Sequence, residues 1–209
     1  MGSVIPLKKS ANSAYLDLKN ILNNKLDSVE KLIHSKLESE VELIKEMSDY
    51  HLGSGGKRIR ALLTMGAAKL GGYAGGSRDV NLATCVELIH SATLLHDDVV
   101  DETTVRRGKE TVNAKWGSDA SILVGDFLIS RAILILADDC ERKIIQAITE
   151  ATKILVEGGI LEYAEARKIQ VSEKHILDVI YRKTASILSV SARLGGLLAC
   201  LLYTSDAAD

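Results

Sequence analysis

Proline occurs once in the 209 residues, at position 6, so nothing downstream interrupts a helix through a missing amide hydrogen or a ring clash. Aromatics make up only 4% of the chain, too few for a surface that stacks nucleic-acid bases. Charge of one sign is also lacking. The 26 Lys and Arg against 28 Asp and Glu leave a formal net charge of −2, and no global basic field favours nucleic acid. The three cysteines, Cys85, Cys140 and Cys200, are spaced for neither a zinc site nor a dense disulfide framework, so a reducing, cytoplasmic compartment is expected. The N-terminus has no long apolar run after its charges, and no signal peptide is expected. No uncharged apolar stretch reaches the length of a membrane span, so no transmembrane segment is expected.

What is present is ordinary for a globular chain: 46% hydrophobic and 26% charged residues, enough for one domain with a substantial core. Residues 12–37 set Leu16, Ile21, Leu22, Leu26, Val29, Ile33 and Leu37 among Lys, Asp and Asn, which is a helical stripe. A second amphipathic piece, about 38–50, ends in a glycine-rich turn at Gly53-Ser54-Gly55-Gly56 that opens into Lys57-Arg58-Ile59-Arg60. Residues 71–76 read as a loop, and about 78–102 are again helical. Arg106-Arg107-Gly108 is a polar connection. Residues 118–136 form the most apolar helix, read as core or dimer interface because Asp119, Asp126 and Arg131 interrupt it. Helical patterns continue over 140–156, 157–170, 172–182 and 184–199, with no convincing strand alternation and no internal repeat. The expected fold is an all-α bundle with one or two central helices. The tail from Cys200 to Asp209 looks foreign, like a translated sequencing adapter. Residues 1–199 are therefore read as part of one domain and 200–209 as a non-native end.

The chemistry concentrates on one helix. At 3.6 residues per turn, His90, Asp97 and Asp101 share a stripe, with Asp98 beside them. Like charges so spaced cost a helix roughly 0.2–0.5 kcal/mol per pair unless a cation binds. Magnesium is the natural partner, since it takes one or two carboxylates together with substrate phosphates. Arg106 and Arg107 follow closely, and guanidinium groups grip phosphate oxygens in pairs. Upstream, Lys57 and Arg60 share a face at a helix start, where unpaired amides and the dipole favour an anion, while Arg58 points elsewhere, to solvent or a carboxylate. Arg182-Lys183-Thr184 is a third basic element, at a break between helices. His96 and Asp126 read as structural. Asp138-Asp139 reads as a helix start, where acids suit the dipole.

Taken in order, Gly-Gly-Lys-Arg-x-Arg, His-x6-Asp-Asp-x-x-Asp-x4-Arg-Arg-Gly and Lys-Thr resemble the trans-prenyl diphosphate synthases. The stretch from His90 to Glu102, with Val124-Gly125-Asp126-Phe127-Leu128, looks most like the long-chain octaprenyl and decaprenyl members. The resemblance covers about residues 10–199. It implies an isoprenoid-synthase-type helical bundle that joins isopentenyl diphosphate to an allylic prenyl diphosphate, for a quinone side chain such as that of ubiquinone. It also implies a homodimer and a requirement for magnesium, or manganese in its place. In residue terms it implies isopentenyl diphosphate on Lys57, Arg60, His90 and Arg107, and the allylic diphosphate on Arg106, Lys183 and Thr184. The metal would lie on Asp97 and Asp101, with Asp98 counted in the same carboxylate group, and Asp97, Asp101 and Lys183 would act on the departing diphosphate. In the family it resembles, bulky residues just upstream of the aspartates floor the product tunnel; Ala92 and Thr93 here are not aromatic, so the resemblance implies a long product that Ala92→Phe should shorten.

The chain departs from the family pattern in three places. The second aspartate-rich motif is absent, so the 209 residues are expected to be inactive by themselves and incomplete at the C-terminus. Ala61 replaces a proline, and Glu162 stands where the family often has glutamine, facing the metal site without being counted as a ligand. Two rival functions use the same fold. A non-catalytic subunit of a heteromeric synthase would generally lack the aspartates, which are here. A terpene cyclase would usually lack the Lys57/Arg60 pair, which is also here.

Overall fold

The computed structural model describes residues 11–53, 56–74, 76–139, 141–165 and 172–199. Pro6, Gly55, Gly75, Cys140 and the segment 200–209, with its expected foreign end, lie outside the described residues. The helices run α1 (Ala11–Ile21), α2 (Asn23–Lys36), α3 (Glu42–Leu52), α4 (Ile59–Leu70), α5 (Arg78–Val100), α6 (Val112–Trp116), α7 (Ser118–Asp139), α8 (Arg142–Glu165), α9 (Glu173–Ile180) and α10 (Ser186–Leu198). One π-helical turn, Tyr181–Ala185, joins the last two.

α5 is the central helix. Leu82, Ala83, Val86, Leu88, Ala92 and Leu95 are buried around its whole circumference, against α7, α4, α2 and α10. A helix apolar all round is a core helix. Its N-terminal Asp79 is only 1% exposed and is neutralised by Lys25 of α2. α10 crosses α4 closely because Gly195 has no Cβ, which would come within 2.6 Å of Ala68 N and 2.8 Å of Ala67 Cβ.

The all-α expectation holds, with local corrections. Val105–Arg106 (β1) and Lys109–Glu110 (β2) pair as a minimal antiparallel hairpin where the sequence suggested a plain connection. Arg107 and Gly108 form its tip with φ of 54° and 77°, the left-handed pair that a two-residue hairpin turn needs. Asp138 and Asp139 end α7 and do not start a helix. The apolar drive of α7 carries it through them against the dipole. α8 runs unbroken through Gly158-Gly159, where two helical segments were expected, because Gly158 lets the Arg182 turn pack directly on it. By length and composition α7 could cross a membrane, which the charge-interrupted pattern had seemed to preclude. Val124, Leu128, Ala132 and Ile135 instead bury one face of it in this core.

Candidate diphosphate and metal site

The C-terminal half of α5, the N-terminus of α4, the hairpin and the π-turn converge at one end of the bundle. His51, Lys57, Arg60, His90, Arg106 and Arg107 line one cavity of about 490 Å³ there. So the expected isopentenyl group, Lys57, Arg60, His90 and Arg107, shares a single wall. Arg107 lies over Gly56, where an added Cβ would sit 3.4 Å from its Nη1. Lys57 rests at the rim, its ammonium 6.0 Å from the centre of the Tyr15 ring. Arg60 Nε is buried with no hydrogen-bond partner among the described residues, and such a donor is rarely left so without a ligand to take it. Burial lowers the Arg60 pKa, opposed by Glu87.

His90 is held neutral. Burial first, then Arg60, His51, Arg107 and Arg106, push its pKa down to about 3. His51 was not singled out in the sequence, because a lone histidine near a helix end carries no motif. It faces the same cavity, and burial with Arg106, Arg107, Arg58 and Lys109 lowers its pKa to about 4. Two neutral imidazoles among guanidinium groups make a pocket that wants an anion.

The helix-start expectation for Lys57 and Arg60 needs one correction. An amide of the first turn of α4 is already used: Ala61 N donates to Glu87 Oε1 at 3.1 Å. Arg58, which was expected to meet solvent or a carboxylate, meets two carboxylates. Its Nε and Nη2 donate to Glu30 at 2.7 and 3.1 Å, and its Nη1 to Glu87 at 3.4 Å. Burial works against its charge, yet Glu30 and Glu87 hold its pKa above the ordinary value.

The carboxylates separate. Asp97 is half-buried in the last turn of α5 and Asp101 caps its end in solvent, both at the helix pole that disfavours negative charge. Burial raises the Asp97 pKa. Lys183 and Arg106 oppose this while Asp101 and Glu162 add to it. Lys183 Nζ stands 3.8 Å from Asp97 Oδ1 and pairs with Glu162. Burial lowers the Lys183 pKa, but Glu162, Asp97 and Asp101 together leave it raised. Glu162 thus faces the site, as its position suggested. Thr184 is exposed next to Lys183 on the π-turn, an element that often marks functional positions. Arg182 of the same turn instead pairs with Asp178 and Glu157.

Asp98 departs from the expected group of three. It is 2% exposed and turned to Arg106, whose Nε and Nη2 donate to its Oδ1 at 2.9 and 2.8 Å. Its backbone carbonyl takes Asn113 Nδ2 at 3.1 Å. The cause is helical register: adjacent positions on α5 point about 100° apart, so Asp98 faces the hairpin while Asp97 faces α8. Among the described residues no group of three or more His, Cys, Asp or Glu is placed to hold a metal. Asp97 and Asp101 alone fit what a magnesium shared with a diphosphate needs from protein, one or two carboxylates.

His96 and Asp126, read as structural, pair with each other at 3.5 Å, and His96 Nε2 also meets Ile122 O at 3.2 Å. Beside α5, Ile89, Ile129, Ala132, Ile133, Leu136, and Val156 line an apolar cavity of about 420 Å³ between α7 and α8.

Comparison with known proteins matches this arrangement. The profile of the polyprenyl synthetase family covers residues 41–208. An octaprenyl diphosphate synthase of Escherichia coli is 40% identical over 171 residues, 82% of this chain and 53% of that protein. One of Haemophilus influenzae is 37% identical over 193 residues, 92% of this chain and 58% of that protein. A solved decaprenyl diphosphate synthase from Rhodobacter capsulatus superposes with a TM-score of 0.85 at 37% identity, covering 89% of this chain and 57% of that one. A polyprenyl synthase from Caulobacter crescentus, complexed with calcium and isoprenyl diphosphate, gives 0.87 at 33%, covering 93% and 58%. The chain thus spans a little over half the length of the relatives it matches. With its ordered basic and acidic motifs gathered at one end of a shared helical fold, the chain belongs to the polyprenyl synthetase family.

Proposed function

We propose that this chain supplies one wall of an enzyme that condenses isopentenyl diphosphate with an allylic prenyl diphosphate to give a long-chain all-trans polyprenyl diphosphate. The observation that carries this is the placement of two different anion-handling groups along the end of one buried helix. His90 stands in the cationic cavity with Arg60 and Arg107, and two turns on Asp97 stands with Lys183.

Lys57, Arg60, His90 and Arg107 bind the isopentenyl diphosphate. Neutral His90 donates one hydrogen bond and adds no charge. Asp97 and Asp101 would hold magnesium, or manganese, shared with the allylic diphosphate. When bound, the metal neutralises charge growing on the departing diphosphate. Lys183, Thr184 and Arg106 meet the same oxygens. The allylic carbon–oxygen bond breaks with its electron pair leaving on diphosphate. The isopentenyl double bond then attacks the allylic cation, and a proton is lost. The apolar cavity between α7 and α8 suits a growing hydrocarbon.

The similarity to octaprenyl diphosphate synthases supports a long product; a quinone side chain as its use and a cytoplasmic location belong to the same proposal. The outer face of α7, with Leu123 68% and Leu134 48% exposed, supports a homodimer through that face. The test is magnesium-dependent incorporation of isopentenyl diphosphate by a chain extended to the relatives' full length. Asp97→Ala should abolish it, and full activity in that variant would sink the reading.

A further inference from the structure

Arg58 begins α4 with a left-handed backbone, φ 48° and ψ 39°, and it is flanked by Lys57 and Arg60 of the isopentenyl wall. A bulky side chain holds that conformation only where its surroundings impose it. The surroundings are two carboxylates from two other helices. Glu30 of α2 takes Arg58 Nε and Nη2, and Glu87 of α5 takes Nη1. The second oxygen of Glu87 takes the amide of Ala61, inside the first turn of α4. Glu87 is 3% exposed and sits one turn before His90 on α5.

We infer that Glu87 is a positioning residue for the isopentenyl diphosphate subsite, acting through the backbone of Arg58. One carboxylate ties the turn holding Lys57 to the helix holding Arg60, and both to the helix holding His90. Glu30 closes the other side. The residues that meet the anion therefore stand in register because an acid in the same cavity wall, whose oxygens are taken by Arg58 and the Ala61 amide, pins the chain between them. The inference rests on reading this cavity as the isopentenyl diphosphate subsite.

The sign of one measurement separates this role from a bulk electrostatic one. A carboxylate beside a cationic pocket repels an anion, so its neutralisation should tighten diphosphate binding if Glu87 matters only as a charge. A positioning role demands the reverse. The experiment is calorimetric titration of the chain, extended to the relatives' full length, with isopentenyl diphosphate, and separately with inorganic diphosphate. Glu87→Gln should weaken both by about tenfold, the scale of one charge-assisted hydrogen bond. Arg58→Gly combined with Glu87→Gln should recover most of the loss, since glycine takes the left-handed conformation unaided and brings no guanidinium to satisfy. Unchanged or tighter binding in Glu87→Gln, or no recovery in the double variant, overturns the inference. Hydrogen exchange at residues 57–62 gives a readout that needs no ligand. The Ala61 amide should exchange much faster in Glu87→Ala than in the parent chain, and equal rates overturn the inference as well. If the extended parent chain binds neither diphosphate, the proposed function fails, and the exchange comparison still decides the role of Glu87.

Discussion

Two nitrogens of Arg106, Nε at 2.9 Å and Nη2 at 2.8 Å, donate to the same buried oxygen of Asp98. An arginine next to the anion cavity is thus fixed from behind by the middle aspartate of the acidic motif. Its neighbour Arg107 is exposed at the hairpin tip. The two arginines, adjacent and chemically identical, should fail differently.

Arg106→Met leaves Asp98 buried with its guanidinium partner gone. Removing one member of such a pair costs about 3–5 kcal/mol when both are buried. Arg106 is 36% exposed, so about 1–3 kcal/mol is expected here. Arg107→Met, at an exposed position, should cost less stability than Arg106→Met and lose diphosphate affinity. Thermal melts of both variants beside diphosphate titrations check this, and equal melting temperatures would count against the Asp98 anchor.

Lys183 stands between Asp97, one of the two carboxylates proposed to hold the metal, and Glu162. Lys183→Ala should therefore change two affinities in opposite directions. Manganese binding without diphosphate, read by electron paramagnetic resonance, should tighten severalfold, because an ammonium no longer competes for Asp97. Diphosphate binding in the presence of the metal should weaken. Metal affinity that stays unchanged would contradict this placement.

Acid should destabilise the fold through the two cavity histidines. An unfolded chain protonates histidine below about pH 6.5. The folded protein resists until about 4 at His51 and about 3 at His90. Within that window the unfolded state holds more protons, so stability falls as pH falls from about 6.5, and the loss is complete only below the folded values. Melting temperatures of His51→Gln/His90→Gln should decline less between pH 6.5 and 4.5 than those of the parent chain, by several degrees. Parallel curves would refute the shifts. Diphosphate should blunt the decline in the parent, since a bound anion stabilises imidazolium.

Ala92 is fully buried on α5, one turn from Ile89, which lines the apolar cavity. Ala92→Phe in a full-length chain should shorten the polyprenyl product, read by chromatography of the dephosphorylated alcohols. Overpacking of this kind also costs roughly 1–3 kcal/mol, so the variant should melt several degrees lower. Unchanged product length in a folded variant would argue against a chain path beside Ala92.

Much of the site was legible because its residues lie close in sequence. Asp97, Asp98, Asp101, Arg106 and Arg107 span eleven positions, and helical periodicity alone relates Asp97 to His90. Lys57 and Arg60 were legible as a pair at a helix opening. Glu87, Glu30 and His51 were not. Each is an ordinary charged or polar residue in its own helix, and its meaning comes from a partner far along the chain: Arg58, 28 and 29 positions from the two acids, and Arg106, 55 positions from His51. The Asp98 side chain was misjudged for a related reason. Spacing shows that three acids are near one another but not which way a buried neighbour draws each of them.

The helical class, the order of the motifs and the anion-and-metal chemistry were determined by the sequence alone. Proline scarcity, 3.6-residue periodicity and residue type act locally, and all can be read along the chain. Tertiary structure decided how the roles divide: Asp97 to the Lys183 cluster, Asp98 to Arg106, Glu87 to the turn at Arg58. The physical reason is burial. A carboxylate inside a core must find a cation or an amide, and only the packing of α2, α4, α5 and the hairpin determines which one lies within reach.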